Sequence, residues 1–151
     1  MSSIIQIGRF YGQYRFLSNF YVTKVLFQRI VYPSAEHAYQ ASKTLNVTAR
    51  CFIAALPQAA TAKSIGRKVN LRPDWELVKL DIMYQIVKEK FTSNDLLRQL
   101  LLDTELANLV EGNHWHDNFW GDCTCPRCAN IQGQNHLGEI LMRVRSELIC
   151  P

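Results

Sequence analysis

Apolar residues change their spacing along the chain at Pro33. Before it, "IIQIG" and "KVLFQRIVY" are rich in β-branched and aromatic residues, which suit a half-buried pleated surface, and both predict strands. A turn around Ser18–Asn19 separates them. After Pro33 the spacing becomes helical. Ser34 is placed to cap a helix over about Ala35–Leu45, because its hydroxyl can take an N–H that the first turn leaves unbonded. Thr48 is the expected cap of a short helix through Ala55, stopped by Pro57. "QAATAKSIG" is alanine-rich and ends at Gly66, a natural stop.

Asp74, after Pro73, is the expected cap of the longest helix, Trp75 to Phe91, where Val78, Ile82, Ile86 and Val87 recur at helical spacing. Ser93 or Asn94 starts "DLLRQLLLD", whose leucines cover most of its surface and predict burial on more than one side. "ELANLVE" predicts a short strand. "LGEILMRVRSELI" is a final amphipathic helix with Leu137, Ile140, Leu141, Val144 and Leu148 on one face. The pattern is that of a mainly α protein with a small N-terminal β element, α+β in character, in a single domain over residues 1–151.

Composition narrows the class. With 48% hydrophobic residues in 151, the chain can bury a core without disulfide staples. A net charge of +4 suits an anionic ligand, but the lysines and arginines are scattered and give no run for bulk attraction to nucleic acid. Five cysteines, an odd number with three of them at Cys123–Cys128, do not form a secreted disulfide framework. The N-terminus lacks a basic segment followed by a long apolar run, and no apolar stretch is long enough to span a bilayer. The expectation is a cytoplasmic protein with no membrane partner.

Two stretches carry candidate chemistry. In "YPSAEHAYQASK", Glu36, Tyr39 or Gln40, and Lys43 fall on one helix face, with the Glu36 and Lys43 backbones about 10 Å apart. Their side chains can flank a small polar ligand such as a sugar ring. The same spacing also fits a dipole-stabilising carboxylate and a solvated lysine. In "HWHDNFWGD", Asp117 stands among Trp115, Phe119 and Trp120. Aromatic faces suit a nucleobase or the apolar face of a sugar, and a carboxylate among them is suited to acid–base work. Gly121 permits close backbone approach to a ligand. The alternative is that the tryptophans plug the loop into the core while Asp117 caps a turn.

"CTCPRC" offers three thiolates, and His114, His116 or His136 could complete a Cys₃His tetrahedron. The spacings are tight and there is no second CxxC pair, so reduced loop cysteines are the preferred reading; no metal or cofactor is assigned. "GQNHLG" precedes the last helix. There Asn135 is a cap or points into a pocket, and Gly138 suggests close helix approach.

"FLSNFY", "YPSAEHAYQASK", "AKSIGR", "RPDW", "KF", "LVE", "HDNFWG" and "NHLGEILMRVR" occur in one order, and that ordered set, spanning nearly the whole chain, resembles the NADAR, or YbiA-like, family. The resemblance implies a compact, mainly α fold and N-glycosidase activity on N-linked ribosyl or ADP-ribosyl substrates. Its two substrate classes are ribosylaminopyrimidine phosphates of riboflavin synthesis and ADP-ribosylated guanine, including ADP-ribosylated DNA. Glu36, Lys43, Trp75, Asp117 and Trp120 match the family's functional positions, and Asn19, Lys63 and Arg67 match positions assigned to ligand contact. The "CTCPRC" insert departs from many relatives.

Cleaving a ribose C1–nitrogen bond builds positive charge on the sugar, which a carboxylate stabilises while a proton donor helps the nitrogen leave. Glu36, Asp117 and Lys43 are the expected catalytic residues. Lys43 either attacks C1 to form a Schiff base or neutralises a phosphate. Tyr39, Trp75, Trp115, Trp120 and Gly121, with Asn19, Lys63 and Arg67, are the expected substrate-binding set. The competing functional class is a non-catalytic ADP-ribose or nucleotide-binding module, which needs the tryptophans and basic residues but not the two acids and the lysine together.

Overall fold

The computed structural model describes residues 3–150. The N-terminal strands are shorter than their sequence suggests. "IIQIG" contributes only β1 (Gln6–Ile7), and a 3-10 helix follows over Gly12–Leu17. "KVLFQRIVY" is a hairpin and not one strand: β2 (Val22–Phe27) pairs antiparallel with β3 (Ile30–Ser34), with Phe27 opposite Ile30. Gln28 and Arg29 make the turn at φ 48° and 70°. Two consecutive left-handed residues form the tight turn that matches strand twist, even without the usual Asn-Gly.

The helices are α1 (Ala35–Ser42), α2 (Val47–Ala54), α3 (Ala59–Gly66), α4 (Trp75–Thr92), α5 (Asp95–Leu102) and α6 (His136–Ile149). Ser34 caps α1 as expected, its Oγ accepting from His37 N at 3.2 Å. Asn46, not Thr48, caps α2, accepting from Ala49 N at 2.9 Å. Asn94 caps α5 in the same way, at 3.0 Å from Leu97 N. Asp74 stands at the start of α4 but makes no side-chain cap. Its carboxylate is held instead by the Arg72 guanidinium at 2.6 and 3.0 Å. In α5 only Leu97 and Leu101 are buried, and Leu96 is 66% exposed, so this helix packs on one side, contrary to the leucine count.

The remaining strands are two-residue pieces: β4 (Asn108–Leu109) runs parallel to β1, and β5 (Gly112–Asn113) runs parallel to β6 (Asp122–Cys123). Among the described residues, no helix is long and apolar enough to cross a membrane. The fold is mainly α with short strands, as the pattern predicts.

Contacts divide the chain into two compact units. One is Asn19–Ser93, built around α1 with the hairpin and α2 to α4. The other joins the segment ending at Ser18 to everything from Asn94 onward. Its core is the apolar face of α6, with Leu137, Leu141 and Val144, together with Leu97, Leu101 and Leu109.

Candidate functional site

Every residue of α1 is buried, although the helix contains Glu36, His37, Gln40 and Ser42. Buried polar groups are costly unless bonded, and most of these have a partner. His37 Nε2 donates to the Leu56 carbonyl at 2.9 Å, which leaves Nδ1 to accept from the Ser34 hydroxyl at 2.7 Å. Burial pulls the His37 pKa below its ordinary value, which favours the neutral ring. Ser42 Oγ donates to the Ala38 carbonyl at 2.7 Å. Gln40 Nε2 donates to Glu36 Oε1 at 2.6 Å, one turn apart, while Gln40 Oε1 has no partner among the described residues. Glu36 is thus held in place by a hydrogen bond from its own helix.

Glu36 lies in the first turn of α1, 7% exposed, where the helix dipole favours its charge. Its backbone N–H donates to the Asn19 carbonyl at 2.9 Å. Asn19 therefore acts here through its backbone, while its side-chain amide donates to Met83 Sδ at 3.5 Å. Lys43 is the C-cap of α1, with its Nζ 5.4 Å from the centre of the Tyr39 ring. Desolvation lowers the Lys43 pKa; Glu36 opposes that, while Arg67 and Lys63 add to it. Glu36, Lys63 and Arg67 thus lie close enough to Lys43 to act on its charge, the latter two from α3 and its C-cap. Lys63 also stands over the Phe20 ring at 5.8 Å.

"RPDW" places the tryptophan. Arg72 N–H donates to the Lys43 carbonyl at 2.7 Å, and its side chain pairs with Asp74. Trp75, which starts α4, then lies against Tyr39 with ring centroids 5.3 Å apart at 53°. Tyr39 and Gln40, which the spacing left as alternatives, have separate tasks: Tyr39 joins Lys43 to Trp75, and Gln40 holds Glu36.

In the other unit, Asn113 and Asp117 fold the aromatic loop. Asn113 Oδ1 accepts from Trp115 N and Asp117 N at 3.3 and 3.2 Å, and its Nδ2 donates to the Asp117 carbonyl at 2.7 Å. Asp117 Oδ1 accepts from Phe119 N and Trp120 N at 3.1 and 2.8 Å. One carboxylate oxygen is thus committed to the turn, as the turn-capping alternative requires. The carbonyls of Phe119 and Trp120 accept from His136 N and Leu137 N at 3.1 and 3.0 Å. The loop therefore satisfies N–H groups that α6 would leave unbonded at its start.

Trp120 stacks edge-on against Phe119 at 4.8 Å and is half-buried, whereas Trp115 is 44% exposed. Gly121 does allow close approach, but by the chain itself: a Cβ there would strike the Glu111 carbonyl. Gly138 is likewise close to the Leu109 carbonyl, the helix approach that its position suggests. Asn135 does not cap α6. It is left-handed at φ 52°, and its amide accepts from Glu111 N and donates to the Leu109 carbonyl.

These two groups of residues lie on a known fold. The NMR structure of the Escherichia coli protein YbiA superposes with a TM-score of 0.81 at 32% identity, covering 98% of this chain and 88% of that one. The chain matches the NADAR domain over residues 9–149, and it belongs to that family. N-glycosidase Npun_R5314 of Nostoc punctiforme is 39% identical over 89% of this chain and 86% of its own length. N-glycosidase YbiA of Escherichia coli is 34% identical over 91% and 82%. The riboflavin biosynthesis protein VVA0006 of Vibrio vulnificus is 38% identical over 88% of this chain, which spans only 35% of that protein.

Proposed function

We propose that Glu36 and Lys43 cleave the bond between ribose C1 and a base nitrogen, with water as the second reactant. The enzyme class follows from the family: the chain is a hydrolase acting on N-glycosyl compounds, the activity for which its relatives are named. The reading of the site rests on a single observation, a buried Glu36 clamped by Gln40 on the same helix as a desolvated Lys43.

The chemistry follows from those positions. As the C1–N bond lengthens, the sugar gains positive charge that the Glu36 carboxylate stabilises at short range. Desolvation enlarges the neutral fraction of Lys43, which gives its Nζ a lone pair for C1. Attack on C1 breaks the C1–N bond, and the base leaves with a proton from the amine on its nitrogen. The C1–ring-oxygen bond then opens, its oxygen taking the second amine proton, to give the Schiff base. Water hydrolyses this to the amine and a C1 aldehyde that recloses as the C1 hydroxyl. Lys63 and Arg67 bind phosphate or pyrophosphate on the substrate, and Tyr39 with Trp75 walls the ring. Asp117, Trp115, Trp120 and Gly121, the rest of the set expected from sequence, belong to the other compact unit.

The substrate classes are ADP-ribosylated guanine and ribosylaminopyrimidine phosphates. Each is incubated with the protein, and release of free base and free sugar phosphate or ADP-ribose is followed by chromatography. Turnover of either class that disappears in Glu36→Gln supports the proposal. Stoichiometric binding of ADP-ribose with no bond cleaved on any of these substrates overturns it and leaves a binding module.

A further inference from the structure

Three of the five cysteines and one histidine converge on one point in the unit that carries the aromatic loop. His116 Nδ1 lies 3.0 Å from Cys125 Sγ and 3.6 Å from Cys128 Sγ. With Cys123 Sγ included, the four donor atoms all lie within 4.8 Å of one another. A zinc ion with Zn–S of about 2.3 Å and Zn–N of about 2.0 Å needs donors roughly 3.5–3.8 Å apart along the edges of a tetrahedron. The observed separations bracket that value.

Each donor is aimed by its own local structure. Cys123 ends the β5–β6 pair, opposite Asn113. Pro126–Cys128 is a 3-10 turn in which Cys128 N–H donates to the Cys125 carbonyl at 2.9 Å, bringing two thiols to one side of a CxxC. His116 has a left-handed backbone at φ 68°, a costly conformation for a non-glycine residue, and it turns the ring inward onto the sulfurs. Cys123 Sγ also accepts from His116 N and Cys125 N at 3.3 and 3.5 Å, the bonding a metal-bound thiolate uses. All three cysteines are buried together, and none is in a disulfide.

We infer that His116, Cys123, Cys125 and Cys128 form a closed Cys₃His zinc site that clamps the Asn113–Cys128 loop. Four protein donors leave no open position, so the metal is structural and takes no part in bond cleavage. Its effect is to hold the turn that carries Trp115, Asp117 and Trp120. Ligation at Nδ1 puts the ring proton on Nε2, and the exposed Arg127 guanidinium that now abuts Nε2 moves into solvent. The expectation from sequence spacing, reduced loop cysteines without metal, gives way to the convergence of the donors.

The test uses the untagged full chain grown with added zinc. Elemental analysis is expected to find one zinc per chain. Thiol titration of the native protein should show Cys51 and Cys150 reacting, with the other three joining only after chelation. The metal-stripped chain should take up one Co²⁺ with intense tetrahedral bands and thiolate charge transfer, and Cys125→Ser/Cys128→Ser should not. Because that variant could fail to fold, the cobalt titration of the unmutated chain is decisive by itself. Absence of zinc with a weak octahedral cobalt spectrum overturns the site, as does a disulfide between two of the three cysteines in protein that binds no zinc when reduced. Glycosidase activity is not a readout here, so the result is separate from the proposed chemistry.

Discussion

Gly66 leaves room for the side chain of Gln40: a Cβ at residue 66 would fall inside the contact radius of the Gln40 amide oxygen. The same amide donates to Glu36 at 2.6 Å. A residue on α3 thereby sets the position of a carboxylate on α1. Replacing a helical glycine by alanine ordinarily gains up to about 1 kcal/mol. Here we expect the opposite sign. Gly66→Ala should displace Gln40, lower the melting temperature and reduce turnover roughly 10–100-fold, the cost of losing a hydrogen bond to a charged group. Gln40→Ala should lower kcat with the fold retained, and KM should change little. A melting temperature raised by Gly66→Ala with full activity would show that the contact is dispensable.

Glu36→Gln keeps the size and the hydrogen-bonding reach of the side chain but removes its charge. Turnover should fall by about two orders of magnitude or more, the scale of a lost acid–base or charge-stabilising group. Circular dichroism should be unchanged. A near-normal rate would remove Glu36 from the chemistry.

Lys43 has a lowered pKa, owing first to burial. If its neutral form attacks C1, the rate should rise with pH through a value below that of an ordinary lysine. Arg67 adds to the lowering, so Arg67→Gln should move that limb to higher pH. Borohydride added during turnover should leave a sugar adduct on Lys43, located by peptide mass spectrometry. A trapped-adduct yield of zero, with phosphate affinity lost in Lys43→Met, would assign Lys43 the electrostatic role instead.

Asp117→Asn retains an oxygen able to accept from Phe119 N and Trp120 N, whereas Asp117→Ala does not. Asp117→Ala should cost about 1–2 kcal/mol of stability, as removal of a comparable cap does. Asp117→Asn should be close to unmutated stability. Its rate separates the two tasks: a full rate excludes the carboxylate charge from the reaction, and a loss of turnover with the melting temperature kept supports a chemical role.

Lys90 is 1% exposed, and burial brings its pKa from 10.5 down to about 7. The Tyr21 and Phe91 rings lie 5.6 and 5.1 Å from its Nζ and temper the cost of the cation. Between about pH 7 and pH 10.5 the unfolded chain holds a proton that the folded chain has released, so stability rises with pH across that window. Below it both states are charged and the whole penalty of burial is present. Lys90→Met should therefore raise the melting temperature most at and below neutral pH, with the gain shrinking toward pH 10.5. Equal slopes of stability against pH in the two proteins would exclude Lys90 as the cause.

Much of the fold and site was legible because the signals are local. Ser34 and Asn94 cap helices through bonds three residues along the chain, and the face that carries Glu36 and Lys43 follows from the helical repeat. The resemblance of ordered motifs to the NADAR family holds over residues 9–149. Local reasoning failed where a second partner decided the outcome. Asp74 looked like a cap but lies beside Arg72, and a charged pair is the stronger bond. "KVLFQRIVY" reads as one strand because its turn lacks glycine and asparagine.

The sequence by itself determined where α1, α4 and α5 start, that Glu36 and Lys43 share a face, and to which family the chain belongs. Only the tertiary structure decided that Gln40 and not Tyr39 holds Glu36, because Gly66 on another helix supplies the space. It alone brought His116 onto three cysteines, because that meeting needs the β5–β6 pairing and a left-handed backbone at His116. Helical periodicity and caps act over three or four residues and can be read along the chain; convergence of side chains depends on long-range backbone pairing, which no local pattern encodes.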